Sequence, residues 1–281
     1  MDNLHILAIL WAIGSTFTWG TGDFTGGLAA RKHNVYSVLL TAQLISLLPL
    51  ILLTVSLETA VLNSSDLLLG CIAGLFGVIG LLNLYSGLAS GRMSIVTPLA
   101  AMVACTIPVL VSVFTEGIPS LMQTGGFALA LLAVWLLSSD GKHITASTTE
   151  LRFALLSGLG FAGVFICLNA TSGETALWPV LASRITSVTA LSLYVVSQKR
   201  WHTPPLRFIP LIAVTGLLDT AGNYFFVMAG QHGRLDVITS VASLYPAVTV
   251  LWAWLLLKER LNLLQTLGII LALTAITLIA T

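Results

Sequence analysis

Charge is scarce in this chain: Asp, Glu, Lys and Arg make up 8% of its residues, while 57% are hydrophobic. A soluble domain carries about 25% charged residues, so an ordinary water-soluble fold is excluded. The 12 basic and 11 acidic side chains nearly cancel, and none cluster densely enough to grip nucleic acid. Cysteine is also rare. Cys71, Cys105 and Cys167 fall in separate apolar runs, which argues against a disulfide framework or metal cluster and reads as small buried hydrophobes. HExxH, GxSxG and Walker patterns are absent. The histidines (His5, His33, His143, His202, His232) and glutamates (Glu58, Glu116, Glu150, Glu174, Glu259) sit at run ends or between runs. No catalytic residues, metal or cofactor are therefore expected, ATP coupling within the chain is excluded, and the protein reads as no enzyme. Met1–His5 lacks the positive start of a cleaved signal peptide, so the first apolar run is expected to remain as a span.

What is present is apolar sequence in lengths that cross a bilayer, about 20 residues each. Ten such spans are expected, at about 6–30, 35–57, 67–90, 93–115, 118–139, 153–173, 176–198, 208–230, 236–257 and 262–280. The expected fold class is an all-α membrane protein with ten transmembrane helices. Basic residues concentrate in alternate connections: Arg31 and Lys32, Arg92, Lys142 and Arg152, Lys199 with Arg200 and Arg207, then Lys258 and Arg260. The positive-inside rule puts those connections in the cytoplasm and both termini outside. The expected location is the inner or plasma membrane.

The chain repeats itself. One constant offset pairs residues 74–139 with 216–281, matching Gly74 to Gly216, Gly91-Arg92 to Gly233-Arg234, and Gln123-Thr124-x-Gly126 to Gln265-Thr266-x-Gly268. Equivalent loops of the two halves carry opposite charge. Arg31 and Lys32 follow the first span while Ser172–Glu174 follows the sixth; Glu58 and Asp66 correspond to the stretch holding Lys199, Arg200 and Arg207. With five spans per half, the second copy must enter the membrane the other way up. Residues 1–139 and 152–281 thus read as two inverted five-helix repeats joined by a linker at 140–151. Such architecture belongs to secondary transporters with a midplane site between halves.

Three ionisable residues lie deep inside spans: Asp23, Arg184 and Asp219. Each costs roughly 2.5–3.5 kcal/mol at a helix centre, which makes each a candidate functional residue. Arg184 and Asp219 fall at similar depth and are expected to pair, either as a static fixture of helix register or as part of a binding site. The remaining carboxylate has no cation, and a low-dielectric site favours its neutral form. Asp23 or Asp219 is therefore the candidate carrier of a coupling proton, or the partner of a cationic group on a solute. Asn223 shares a helix face with Asp219. Aligning Gly14 with Gly160 sets Asp23 against Asn169, and Asn83 with Tyr85 and Ser86 forms a polar cluster on the third span. Glycines at 22 and 26, at 70, 74, 77 and 80, and at 158, 160 and 163 make faces that let helices approach closely. Pro98, Pro108 and Pro246 interrupt hydrogen-bond ladders, and Tyr245 beside Pro246 offers an aromatic wall to any cavity opened there.

Phe17-Thr18-Trp19-Gly20 resembles the Trp-Gly of EamA-type members of the drug/metabolite transporter superfamily. Pro246…Lys258-Glu259-Arg260-Leu261…Gln265-x-x-Gly268 resembles their closing motif, and Glu116 with Gln123–Gly126 repeats it weakly. The resemblance covers the whole chain. It implies a ten-helix inverted-repeat carrier of small metabolites, often an exporter of amino acids or related solutes, with Trp19 near a central cavity. The arginine that such proteins often show early in the second helix of a repeat is matched by Arg184, while the first half has Ala42-Gln43 there. Phe165-Ile166 stands where the second half would repeat Trp-Gly, and many relatives keep both termini in the cytoplasm, opposite to the charge-based orientation here. One basic and two acidic buried residues among neutral polar ones suit an amphoteric or neutral solute better than a polyanion. The expected partners are a small solute, a proton and the lipid bilayer, with the chain a monomer or homodimer. A channel or lipid-translocating protein of the same build is the alternative.

Overall fold

A computed structural model describes residues 3–59, 63–90, 93–137, 147–258 and 262–279. Every regular element among them is helical: α1 Asn3–Ala30, α2 Val35–Leu57, α3 Ser64–Ser90, α4 Met93–Thr115, α5 Leu121–Leu137, α6 Thr148–Asn169, α7 Leu177–Ser197, α8 Ile209–Gly230, α9 Leu235–Ala242, α10 Tyr245–Leu257 and α11 Leu263–Ile279. A short 3-10 turn at Leu206–Phe208 leads into α8. Eight stretches are long and apolar enough to cross a membrane, with α9 and α10 counted as one. α5 and α11, at 17 residues each, rise about 26 Å at 1.5 Å per residue, a little under the roughly 30 Å of a hydrocarbon core. Large apolar side chains on the outside, such as Leu48, Phe114, Leu193 and Leu273, are what a bilayer as solvent requires. The chain is a multi-pass membrane protein.

Local sequence explains most boundaries. α6 begins at Thr148, ahead of its expected start, because Ser147 and Glu150 form a capping box. α2 starts where the Asn34 side chain accepts a bond from the Ser37 N–H. Arg92, Lys142, Arg260 and residues 140–146 of the expected linker lie outside the described residues.

The ninth span differs from expectation. It is two helices, because Pro246 has no N–H for the Ala242 carbonyl and its ring crowds that position; α9 accordingly stops at Ala242, and α10 restarts at Tyr245. Pro98 and Pro108, by contrast, sit inside a continuous α4.

α1 packs along α8 and α3 along α6; α2 meets α7 and α8, α3 meets α7, α4 meets α6 and α9, and α5 pairs with α11. Hydroxyls on α1 fasten it to its neighbours: Ser15 donates to the Gly222 carbonyl at 3.0 Å, Thr16 to that of Val241 at 2.8 Å, and Thr25 bonds Thr215 at 2.8 Å. Glycine permits two of the tightest crossings. A Cβ on Gly74 would collide with the Ser183 carbonyl, and one on Gly216 with the Ala42 carbonyl. Gly74 and Gly216 are the matched glycines of the repeat.

Candidate functional site: a central polar cavity

The interior turns of six helices, together with the start of α10, enclose a cavity in which a water-sized sphere can reach about 50 Å³. That is room for on the order of four water molecules. α1 contributes Trp19 and Asp23, four apart and so on one face. α8 contributes Asp219 and Asn223 by the same spacing, and α7 adds Ser183, Arg184 and Ser187. Gln43 comes from α2, Gly77 and Leu81 from α3, Phe165 from α6 and Tyr245 from the broken ninth span.

The expected ion pair forms. Arg184 Nη2 donates to Asp219 Oδ2 at 2.5 Å and to Thr220 Oγ1 at 2.8 Å. The guanidinium is 4% exposed and the carboxylate 20%, so Arg184 is held inside while Asp219 keeps an edge to the cavity. Thr220 relays onward by donating to the Gly216 carbonyl, 2.9 Å away. Arg184 Nε is buried without a hydrogen-bond partner among the described residues, as is the Tyr245 hydroxyl. Both donors are buried next to the cavity that Arg184 and Tyr245 line.

Asp23 contrasts with Asp219. It is buried, no cation pairs with it among the described residues, and the charge that acts on it is the like charge of Asp219. Asn223 donates to its own helix, Nδ2 to the Asp219 carbonyl at 2.9 Å, which leaves its amide oxygen for other partners.

Of the residues singled out from sequence, the cavity brings together Trp19, Asp23, Arg184, Asp219, Asn223 and Tyr245. It does not include Asn83 or Asn169. The Asn83 amide donates back to the Ile79 carbonyl at 2.7 Å. Asn169 ends α6 and lines a separate recess with Thr171, Ser172 and Gln231 at that end of the bundle. Sequence reasoning passed over Gln43 and Ser187, whose side chains bond at 2.5 Å across α2 and α7. The signal was available: Gln43 holds the place in its half that Arg184 holds in the other.

The profile of the EamA-like transporter family matches this chain twice, over residues 6–139 and 149–281. A solved crystal structure aligns with 96% of this chain and 97% of its own at a TM-score of 0.80 and 12% identity, a likeness of fold alone. A comparison with curated proteins finds no match. With nearly its whole length matched, the chain belongs to the EamA-like transporter family of the drug/metabolite transporter superfamily.

Proposed function

We propose that this membrane transporter is a secondary carrier of small amphoteric or neutral polar solutes, amino acids foremost, working by alternating access around the central cavity. The observation that carries the reading is the charge arrangement: one guanidinium committed to Asp219, and a second buried carboxylate, Asp23, with no cation of its own. An ammonium group on the solute, or a coupling proton, completes Asp23. A turn of either side chain would bring the Arg184 Nε or the Tyr245 hydroxyl, both without a partner among the described residues, to the opposite, acceptor end of such a solute. The small volume that a water-sized sphere can reach, about 50 Å³, favours a carrier over an open channel.

Ten spans in two inverted repeats, 1–139 and 152–281 around a linker at 140–151, are part of this reading. The helix pairings support it, because exchanging the first five helices for the rest maps α1–α8 onto α6–α3, α2–α8 onto α7–α3, and α5–α11 onto itself. The cavity supports it too: matched positions Gly77 and Asp219, Leu81 and Asn223, Gln43 and Arg184, and Trp19 and Phe165 all line it. The charge bias of the connections supports termini on the outer side of the plasma or inner membrane. Counterflow in proteoliposomes tests the carrier reading. Saturable exchange of labelled for unlabelled amino acid is expected; conductive, non-saturating flux would make the protein a channel instead.

A further inference from the structure

The two ends of the bundle are fastened by different chemistry. At the end where α2 and α4 finish, three carboxylates of the first half of the chain bind the second half. Glu58 Oε1 accepts from the backbone N–H groups of Ala176 and Leu177, at 2.9 and 2.8 Å, at the start of α7. Asp66, 2% exposed, accepts from the Ser172 N–H at 2.9 Å and from its hydroxyl at 2.5 Å. Glu116 accepts from the Leu235 N–H at the start of α9, at 3.0 Å. Arg234 closes the same corner by donating to the Glu116 and Gly117 carbonyls at 2.9 and 2.8 Å while it pairs with the buried Asp236 at 2.8 Å. Carboxylates at helix N-termini gain from both charged hydrogen bonds and the helix dipole.

At the opposite end no such set is found among the described residues. The offset that pairs Gly74 with Gly216 sends Asp66 to Phe208 and Glu116 to Lys258, one residue before the closing motif's Glu259, which lies outside the described residues; the one that pairs Gln43 with Arg184 sends Glu58 to Lys199. Phe208, Lys258 and Lys199 have no carboxylate to accept from a backbone N–H. The halves meet there through neutral acceptors, the His202 N–H to the Ser37 hydroxyl at 2.9 Å and Arg200 to the Tyr36 hydroxyl at 2.6 Å, and through Lys32 over the Phe208 ring.

We propose that Glu58, Asp66 and Glu116 are positioning residues for transport: a carboxylate latch that clamps the two halves at their end of the bundle and holds the central cavity shut on that side. The geometry connects latch to cavity directly, since Val180 on the cavity wall lies one helical turn beyond Leu177, where Glu58 is bound. The latch rests on the alternating-access reading, but its test does not depend on which solute is carried.

The test reads the sidedness of thiol labelling. Gly77 is the reporter position, because it lines the cavity and a Cβ there meets only Val164 at 3.7 Å. Gly77→Cys is placed in a background where Cys71, Cys105 and Cys167 are alanine, and a membrane-impermeant methanethiosulfonate is applied to right-side-out and inside-out vesicles. The exposed Ser65, changed to cysteine in a separate control, identifies the latch face. Combining Glu58→Ala and Glu116→Ala is expected to speed labelling from the latch face about tenfold, the factor that losing one charged hydrogen bond can give, while labelling from the opposite face slows. Glu58→Gln and Glu116→Gln keep an accepting oxygen and should fall between. Unchanged labelling, or equal acceleration from both faces, overturns the latch. Loss of amino-acid counterflow with sidedness behaving as expected would instead overturn the proposed solute and leave the latch standing.

Discussion

Trp19 stacks on Phe165, ring centroids 5.3 Å apart and planes 20° from parallel, and the alignment of Gly14 with Gly160 gives the two residues the same place in their halves. Phe226 packs against both, with centroids at 5.7 and 4.8 Å. The three rings join α1, α6 and α8, and Trp19 and Phe165 line the cavity. Trp19→Ala removes the largest of the three rings and should cost about 3 kcal/mol or more in stability, as large-to-small core changes do. A thermal melt in detergent reads the loss, and an unchanged midpoint would mean that the stack carries little of the packing.

The Arg184–Asp219 pair is expected to follow the rule for buried ions. Removing one partner leaves the other buried and unpaired, a cost of about 3–5 kcal/mol, whereas replacing both with apolar residues costs far less. Arg184→Leu should therefore unfold at a much lower temperature than the wild type, and the double change Arg184→Leu with Asp219→Leu should recover most of the loss. Neither variant should transport. A double variant that is stable and still transports would reduce the pair to a fixture of helix register.

Glycine contacts give a sharper steric forecast. Gly216→Ala drives a Cβ into the Ala42 carbonyl, whereas nothing lies within 4 Å of a Cβ at Gly125. The first change should destabilise by about 1–3 kcal/mol, as overpacking does. The second should be neutral or slightly stabilising, since alanine favours helix over glycine by about 1 kcal/mol. Melting curves of the two variants side by side check the contrast.

The apolar runs, the repeat and the ion pair could be read from the sequence because each departs from a strong background rule. A charge inside a span is costly enough that Arg184 and Asp219 announce themselves, and equal depth made them partners. Gln43 and Ser187 escaped because neutral polar side chains occur in many membrane helices for packing alone. Asn83 lies outside the cavity, and its amide donates to its own helix at the Ile79 carbonyl. The break in the ninth span was half legible. Pro246 marked the place, but a lone proline permits either a kink or a full break, as the unbroken α4 with Pro98 and Pro108 demonstrates. The latch carboxylates looked like ordinary loop charges, because their partners are backbone N–H groups more than a hundred residues away.

Asp23 is the carboxylate on which proton coupling turns. The direct measurement is amino-acid accumulation in proteoliposomes under an imposed pH gradient, with Asp23→Asn and Asp219→Asn beside the wild type. Gradient-driven accumulation is expected in the wild type, and Asp23→Asn is expected to keep counterflow but no longer respond to the gradient. Accumulation that ignores the gradient in the wild type, or an Asp23→Asn variant that responds to it unchanged, would contradict a coupling role for this carboxylate.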